Sequence, residues 1–436
     1  MLKKGIIQVL SAGLILFMTS CVNESESFGG IAPASKEYYV NFDCALQYAI
    51  KIRGNDSLCT RSERLQVKNH YEYTAHRATR AGDDTIDVRF HIINFSDNLG
   101  FALVASDSRT TPIYAYSEHG NLDLYDAERN TGFHEFMQNA IDKYRQDITY
   151  GLPFDTVVSP ILPDPYWVED LPTVQVGGKT YYVHSHYETE DSVAPLLLTA
   201  WNQSAPYNYY CPEAPNAMNG FGGKCLTGCL PLAIAQIMAY HKYGKNLTDI
   251  NGNVIFLNWG YLHSHYSFSP NDSSYHSRSL AKLIRKIGDV AGAQYENDGT
   301  VVSIFNEDNT LHYFGYTSSG LQYPGSMTDN LILNSISHNK PVLSNGFRAI
   351  NDSIIAGHTW VTDGFSRKDL YLDYYEYAMP HYLHHSLHSI DNITYLHCNW
   401  GWGGLYNAYV LNFKVNESKS YSLYNSHIVN IQPDNS

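Results

Sequence analysis

The stretch Gly228-Cys229-Leu-Pro-Leu-Ala-Ile-Ala-Gln-Ile-Met-Ala-Tyr240-His241 constrains this chain more than any other. Pro231 suits the first turn of a helix, where its missing N–H is not needed. Beyond it, Leu230, Ile234, Ile237 and His241 fall at helical spacing, and Ala233, Ala235 and Met238 fill most of the remaining circumference. A helix apolar on several faces belongs inside a large protein, and 436 residues with 44% apolar side chains supply one. Cys229 stands at the N-terminus of that helix, where free N–H groups and the helix dipole favour a thiolate over a thiol. A buried core cysteine is the plainer reading of Gly-Cys on its own.

Two downstream runs change that reading. Gly357-His358-Thr-Trp360-Val-Thr-Asp363-Gly364 puts a histidine at the head of a β-type run. His397-Cys-Asn399-Trp400-Gly-Trp402-Gly-Gly404 puts an asparagine before a Trp/Gly-rich turn. Cys, His and Asn follow in that order, 129 and 41 positions apart, the order used by papain-type enzymes.

With Trp201-Asn-Gln203, Pro206-Tyr-Asn208, Gly228-Cys229 and Ala235-Gln-Ile-Met238, these runs make residues 195–436 resemble the streptopain family of papain-fold cysteine proteases. Gly100-Phe-Ala-Leu-Val-Ala-Ser-Asp107 and Ala115-Tyr-Ser-Glu-His-Gly120 resemble that family's propeptide. The resemblance implies an α+β protein. A small α+β propeptide domain precedes a papain-like fold with a helical subdomain and a β-barrel-like subdomain. It implies Cys229 as nucleophile, His358 as general base, and Asn399 holding the imidazole by its side-chain oxygen. Gln203 and the backbone N–H at Cys229 would bind the oxyanion, and Trp400, rather than Trp402, would shield the Asn–His bond from water. The implied activity is that of a cysteine endopeptidase zymogen working through a thioester acyl-enzyme. The same site using an amine acceptor, as a transpeptidase or amidase, and a catalytically silent surface-binding lipoprotein stand as alternatives. No cofactor and no metal is expected. The expected partners are protein or peptide substrates and the chain's own propeptide as an intramolecular inhibitor.

Met1-Leu-Lys3-Lys4, an apolar run to Met18, and Thr-Ser-Cys21 read as a secretory signal. Cys21 after small residues reads as a bacterial lipobox cysteine, with ordinary signal cleavage as the other reading. The expected setting is the bacterial cell envelope, with the membrane reached only through a lipid on Cys21, or release from the cell. Residues 22–36 form a polar tether. Residues 37–150 form the small α+β domain, with a strand around Ile86–Ile92, a turn at Asp97–Gly100, strands at 101–105 and 113–116, and a helix burying Phe133, Phe136, Met137, Ala140, Ile141 and Tyr144. Residues 151–194, rich in proline, read as linker and processing region. A net charge of −14 with few basic clusters excludes nucleic-acid binding and a polybasic membrane patch.

Cys225 lacks a following helix and so the geometry that activates a thiol. In an exported protein it either bonds Cys211 or stays free. Leu280, Leu283, Ile284, Ile287 and Ala291 predict a second amphipathic helix, and 331–338 a short third one. Residues 366–395 depart from the family pattern. They hold His381, His384, His385 and His388, at i, i+4 spacings that would bind zinc on a helix. No carboxylate lies among those histidines, and an elaborated hairpin bordering the cleft is the expected structure.

Overall fold

The computed structural model describes residues 38–53, 65–75, 87–124, 131–150, 157–159, 168, 171–214, 222–297, 299–323, 326–350, 353–378, 381–386, 390–412 and 423–434. The leader, Cys21 and the tether lie outside them. Among the described residues no helix is long and apolar enough to cross a membrane.

Helix α1 (Phe42–Lys51) starts where the Asn41 side chain accepts a hydrogen bond from the Cys44 N–H at 2.9 Å, which satisfies one orphan donor of the first turn. An antiparallel meander follows: β1 (Val67–Ala75), β2 (Val88–Phe95), β3 (Phe101–Ala105) and β4 (Ile113–Ser117). The turn between β2 and β3 holds Asp97 and Asn98 at positive φ, which these short polar residues tolerate best after glycine. Helix α2 (Thr131–Tyr150) buries the expected stripe, from Phe133 to Tyr144.

The region read as linker carries structure of its own. Strands β5 (Thr173–Val176) and β6 (Lys179–Val193) form a hairpin around Gly177 and Gly178, both at positive φ, as a tight hairpin turn requires. Along β6, Val183 and Ser185 face inward and are buried, while His184 and His186 alternate to the other side.

Helix α3 (Cys229–His241) is buried without interruption from Leu230 to Ala239. It packs on helix α4 (Tyr275–Ala291), whose Leu280, Leu283, Ile284 and Ile287 complete a helical core with Trp201 and Ile237. Short helices α5 (Glu307–Tyr313) and α6 (Ser326–Ser337) follow. The longer strands that follow are β7 (Val342–Ile350), β8 (Ser353–Ala378), β9 (His381–Ser386), β10 (Ile390–Asn399), β11 (Ala408–Leu411) and β12 (Leu423–Ile428).

A single hydrogen-bonded path runs β1-β2-β3-β4-β11-β10-β8-β7-β12. The N-terminal sheet joins the C-terminal one where Tyr116 and Ala115 pair with Tyr409 and Val410. One hydrophobic cluster crosses that junction, with Phe133 and Tyr144 on one side and Tyr395, Trp400 and Val410 on the other. The α+β expectation holds, with a helical half and an antiparallel sheet half. The long insertion is the expected hairpin, since β8 extends to Ala378 and returns as β9 and β10. His381, His384 and His385 lie on a strand, so the helical i, i+4 spacing does not arise; His388 lies outside the described residues.

Candidate active site

Gly228 caps α3 at φ 87°, a conformation side chains rarely adopt. A Cβ there would also meet Thr300 at 3.0 Å. The turn it makes sets Cys229 as the first helical residue, half-buried. The Leu230 N–H and the backbone and side chain of Thr359 act on the sulfur and favour the thiolate, but burial acts more strongly and raises the thiol above its ordinary range. The activation expected from the helix N-terminus is thus outweighed by desolvation in this arrangement.

Cys211 and Cys225 are both free thiols, packed with Ala214 and Tyr295. The disulfide reading is not realised here. Burial pushes the Cys211 thiol up to about 12 and also raises Cys225, which precedes no helix.

Neighbouring residues on a strand point to opposite faces, and that alternation separates His358 from Thr359 on β8. Thr359 turns toward Cys229. Its hydroxyl lies 2.6 Å from Asn345 Oδ1 and 3.4 Å from Glu307 Oε1, while Asn345 Nδ2 donates to Glu307 Oε2 at 2.8 Å. Burial raises the Glu307 carboxyl to about 8, with the Cys229 sulfur pushing the same way. Thr359 Oγ1 thus donates to Asn345 Oδ1 and, over a longer distance, to Glu307, while Asn345 donates to the same carboxyl, so that acid, hydroxyl and amide form one buried hydrogen-bonded cluster beside Cys229. His358 faces the other way. It is 2% exposed, and its Nε2 lies 2.8 Å from the Trp400 carbonyl, which makes Nε2 the donor. Its ring lies nearly parallel to Trp360 and Trp402, at 14° and 15°.

Asn399 does not take the place expected of it beside the imidazole. Its Nδ2 donates to the Thr199 carbonyl at 2.7 Å, and its amide meets that of Gln236 at 3.5 Å. Gln236 Oε1 also accepts from Thr199 Oγ1 and the Trp201 N–H. The helix bearing Cys229 is thereby tied to the end of β10 and to the segment before Gln203. Gln203 is buried, and its carbonyl accepts from the Thr227 N–H at 3.0 Å, two residues before the Cys229 turn. Trp400 is buried in the cluster shared with α2, its indole N–H on the Tyr406 carbonyl at 2.8 Å. Trp402, rather than Trp400, lies over the His358 ring.

On that side His358 meets α2. A Cβ on Gly132 would come within 2.5 Å of His358 Cδ2 and 2.4 Å of Trp400 Cε3, so only glycine lets the helix start this close. Phe133 meets Trp400 edge-on at 6.4 Å, and Glu135 lies near enough to favour a charged imidazole. Burial nevertheless holds His358 down at about 4.

Acid should therefore loosen this packing. A histidine whose folded value lies below its unfolded one contributes fully above about 6.5, and that contribution is lost as pH falls toward 4. His241 and His427, both held near 4 by burial, act in the same direction. Glu307 acts oppositely, its contribution being largest below about 4.5 and lost as pH rises through 8. For the full chain carrying C229A, the urea midpoint should drop between pH 7 and pH 4.5. The drop should shrink in C229A/H358N; an equal drop would remove His358 from the account.

Glu307, Thr359, Gln236 and Gly132 carried no assigned role at the level of sequence. Gln236 had a signal, a lone amide on an otherwise apolar helix. Glu307, in Asn306-Glu-Asp-Asn309, reads as an ordinary solvated helix start.

Residues 201–410 match the peptidase C10 family, and residues 47–144 match the Spi protease inhibitor family. Streptopain of Streptococcus pyogenes is 22% identical over 394 residues, spanning 81% of this chain and 83% of that protein. The thiol protease/hemagglutinin PrtT of Porphyromonas gingivalis is 24% identical over 366 residues, 75% of this chain and 34% of that protein. Among solved structures, a prointerpain A fragment of Prevotella intermedia covers 82% of this chain and 98% of its own, at 17% identity and a TM-score of 0.47.

Proposed function

Since this chain is a cysteine peptidase of the peptidase C10 (streptopain) family, we propose that it is an exported endopeptidase zymogen held latent by α2 lying against His358. The observation that carries this reading is the close approach of Gly132 to His358 and Trp400. Once α2 leaves, the space beside Trp400 opens and the imidazole is free to turn toward Cys229. His358 takes the Cys229 proton, and the resulting thiolate attacks the peptide carbonyl carbon. The Gln203 amide and the Cys229 N–H hold the oxyanion, and His358 gives its proton to the leaving amine. Water, deprotonated by His358, attacks the thioester and releases the acyl group, returning the proton to the site. Asn399, tied to Gln236, fixes the turn from which the imidazole is oriented, and Trp402 covers the ring. Export, with a lipid on Cys21, would place the enzyme at the cell envelope, where restraint until arrival is of use.

The activated chain should lose peptide hydrolysis on alkylation, with the label on Cys229, and keep it in EDTA. Hydrolysis that survives complete alkylation of Cys229, or mature activity that EDTA removes and zinc restores, would contradict a thiol mechanism.

A further inference from the structure

We propose that His184, His186 and Asp373 form a binding site for a divalent transition-metal ion, zinc by its chemistry, that ties strand β6 to strand β8. The site lies apart from Cys229 and His358.

The sequence places two histidines at i, i+2 on β6, and strand alternation puts both on the same face. In the antiparallel register, Asp373 on β8 stands directly across from His184, and Tyr371 across from His186. One potential donor atom from each of the three side chains lies within 4.8 Å of the others. His184 Nδ1 is 3.6 Å from Asp373 Oδ2. That is close to the edge of a zinc tetrahedron, about 3.4 Å for bonds of about 2.1 Å. The His186 ring is stacked on Tyr371 at 4.7 Å and 9°, which fixes its plane. Its Nδ1 is buried and has no hydrogen-bond partner, while Nε2 faces Glu188 at 3.9 Å. A buried ring nitrogen without a proton donor or acceptor is costly, and an ion would satisfy it. Glu188 then takes the outer-shell place, orienting the metal-bound ring through its other nitrogen. Two imidazoles and one carboxylate, with a fourth position left for water, are a donor set for zinc rather than for calcium or magnesium.

The location gives the ion a consequence, which rests on the zymogen reading. β6 is the last element before the catalytic segment, and it pairs with β8 from Tyr182 to Val193. A protease needs extended, unpaired chain, so excision of the N-terminal region within β6 requires this strand to lift from β8. An ion that binds only the paired form makes opening rarer, by roughly 100-fold at 100 times its Kd. Zinc would then act as a brake on maturation that chelation releases.

The test uses the full chain carrying C229A, which removes the catalytic thiol as a competing ligand and abolishes self-cleavage. Equilibrium dialysis against Zn2+ should show one ion bound, and Co2+ substitution should give the visible bands of a tetrahedral N/O site without thiolate charge transfer. H186A and D373A, each checked for folding by circular dichroism, should lose the ion. H184Q, which keeps volume and polarity, serves where alanine disturbs the sheet. No uptake, uptake unchanged in these variants, or a thiolate band would overturn the site. In the second arm, limited digestion with subtilisin should cut within 179–193 at least ten-fold more slowly in Zn2+, and equally fast with and without Zn2+ in H186A/D373A. Ion binding with no change in cutting would overturn the brake and leave the site. Neither arm depends on peptidase activity of this chain, so both outcomes are distinguishable from a failure of the peptidase reading.

Discussion

C229A is expected to abolish peptide hydrolysis by the activated enzyme, with kcat falling on the order of a million-fold, as when the nucleophile of an acyl-transfer unit is removed. C225A should keep a readily measurable fraction. The contrast rests on local structure. Cys229 heads a buried helix behind a glycine at positive φ, and its sulfur lies among the Leu230 N–H and Thr359. Cys225 is a buried thiol whose N–H bonds the Pro212 carbonyl and whose sulfur lies 4.0 Å from the Glu213 carbonyl. Steady-state hydrolysis of a fluorogenic peptide by both variants, with folding verified by near-UV circular dichroism, decides it. Two folded variants equally without activity would remove the assignment of the nucleophile.

The second large effect concerns latency. The full chain should be nearly inactive, and cleavage between Gly151 and Thr199 should release activity. The freed N-terminal fragment, added back, should inhibit less strongly than when tethered, because the tether supplies a high effective concentration. Gly132 tests the contact itself. A leucine there meets His358 and Trp400 where a Cβ alone is already at 2.5 and 2.4 Å. Overpacking of this kind costs about 1–3 kcal/mol. The fragment carrying G132L should therefore need roughly ten-fold more concentration for half-inhibition, and the full chain carrying it should show raised basal hydrolysis. A full-length enzyme as fast as the cut form would reduce residues 37–150 to a folding aid. Unchanged inhibition by the G132L fragment would move the inhibitory contact away from α2.

Much of this was readable beforehand because it depends on local rules. The helix at Cys229 followed from its apolar circumference and Pro231, and α4 and α6 from their periodicity. The β2–β3 hairpin followed from alternation around Asp97–Gly100. The Cys–His–Asn order was carried by four short motifs, each requiring only neighbours in sequence. The strand β6 was not readable in the same way. Its charged and aromatic residues look like linker composition, and it is a strand because β8 offers a long edge with matching register.

Sequence alone determined the helix at Cys229, α4, α6 and the β2–β3 hairpin, and carried the resemblance to the family. It did so because turn chemistry, helix periodicity and short motifs are properties of adjacent residues. Tertiary structure decided which of those residues meet. Thr359 and His358 are neighbours in the chain, but strand alternation sends one to the Cys229 thiol and the other to Trp400 under α2. Glu307 becomes a buried partner of Asn345 and Thr359 only through packing across long separations. Gly132 matters only because a helix from the far N-terminal side is laid within ångströms of the histidine. Such proximities are set by how sheets join and cores merge, and no window of sequence contains them.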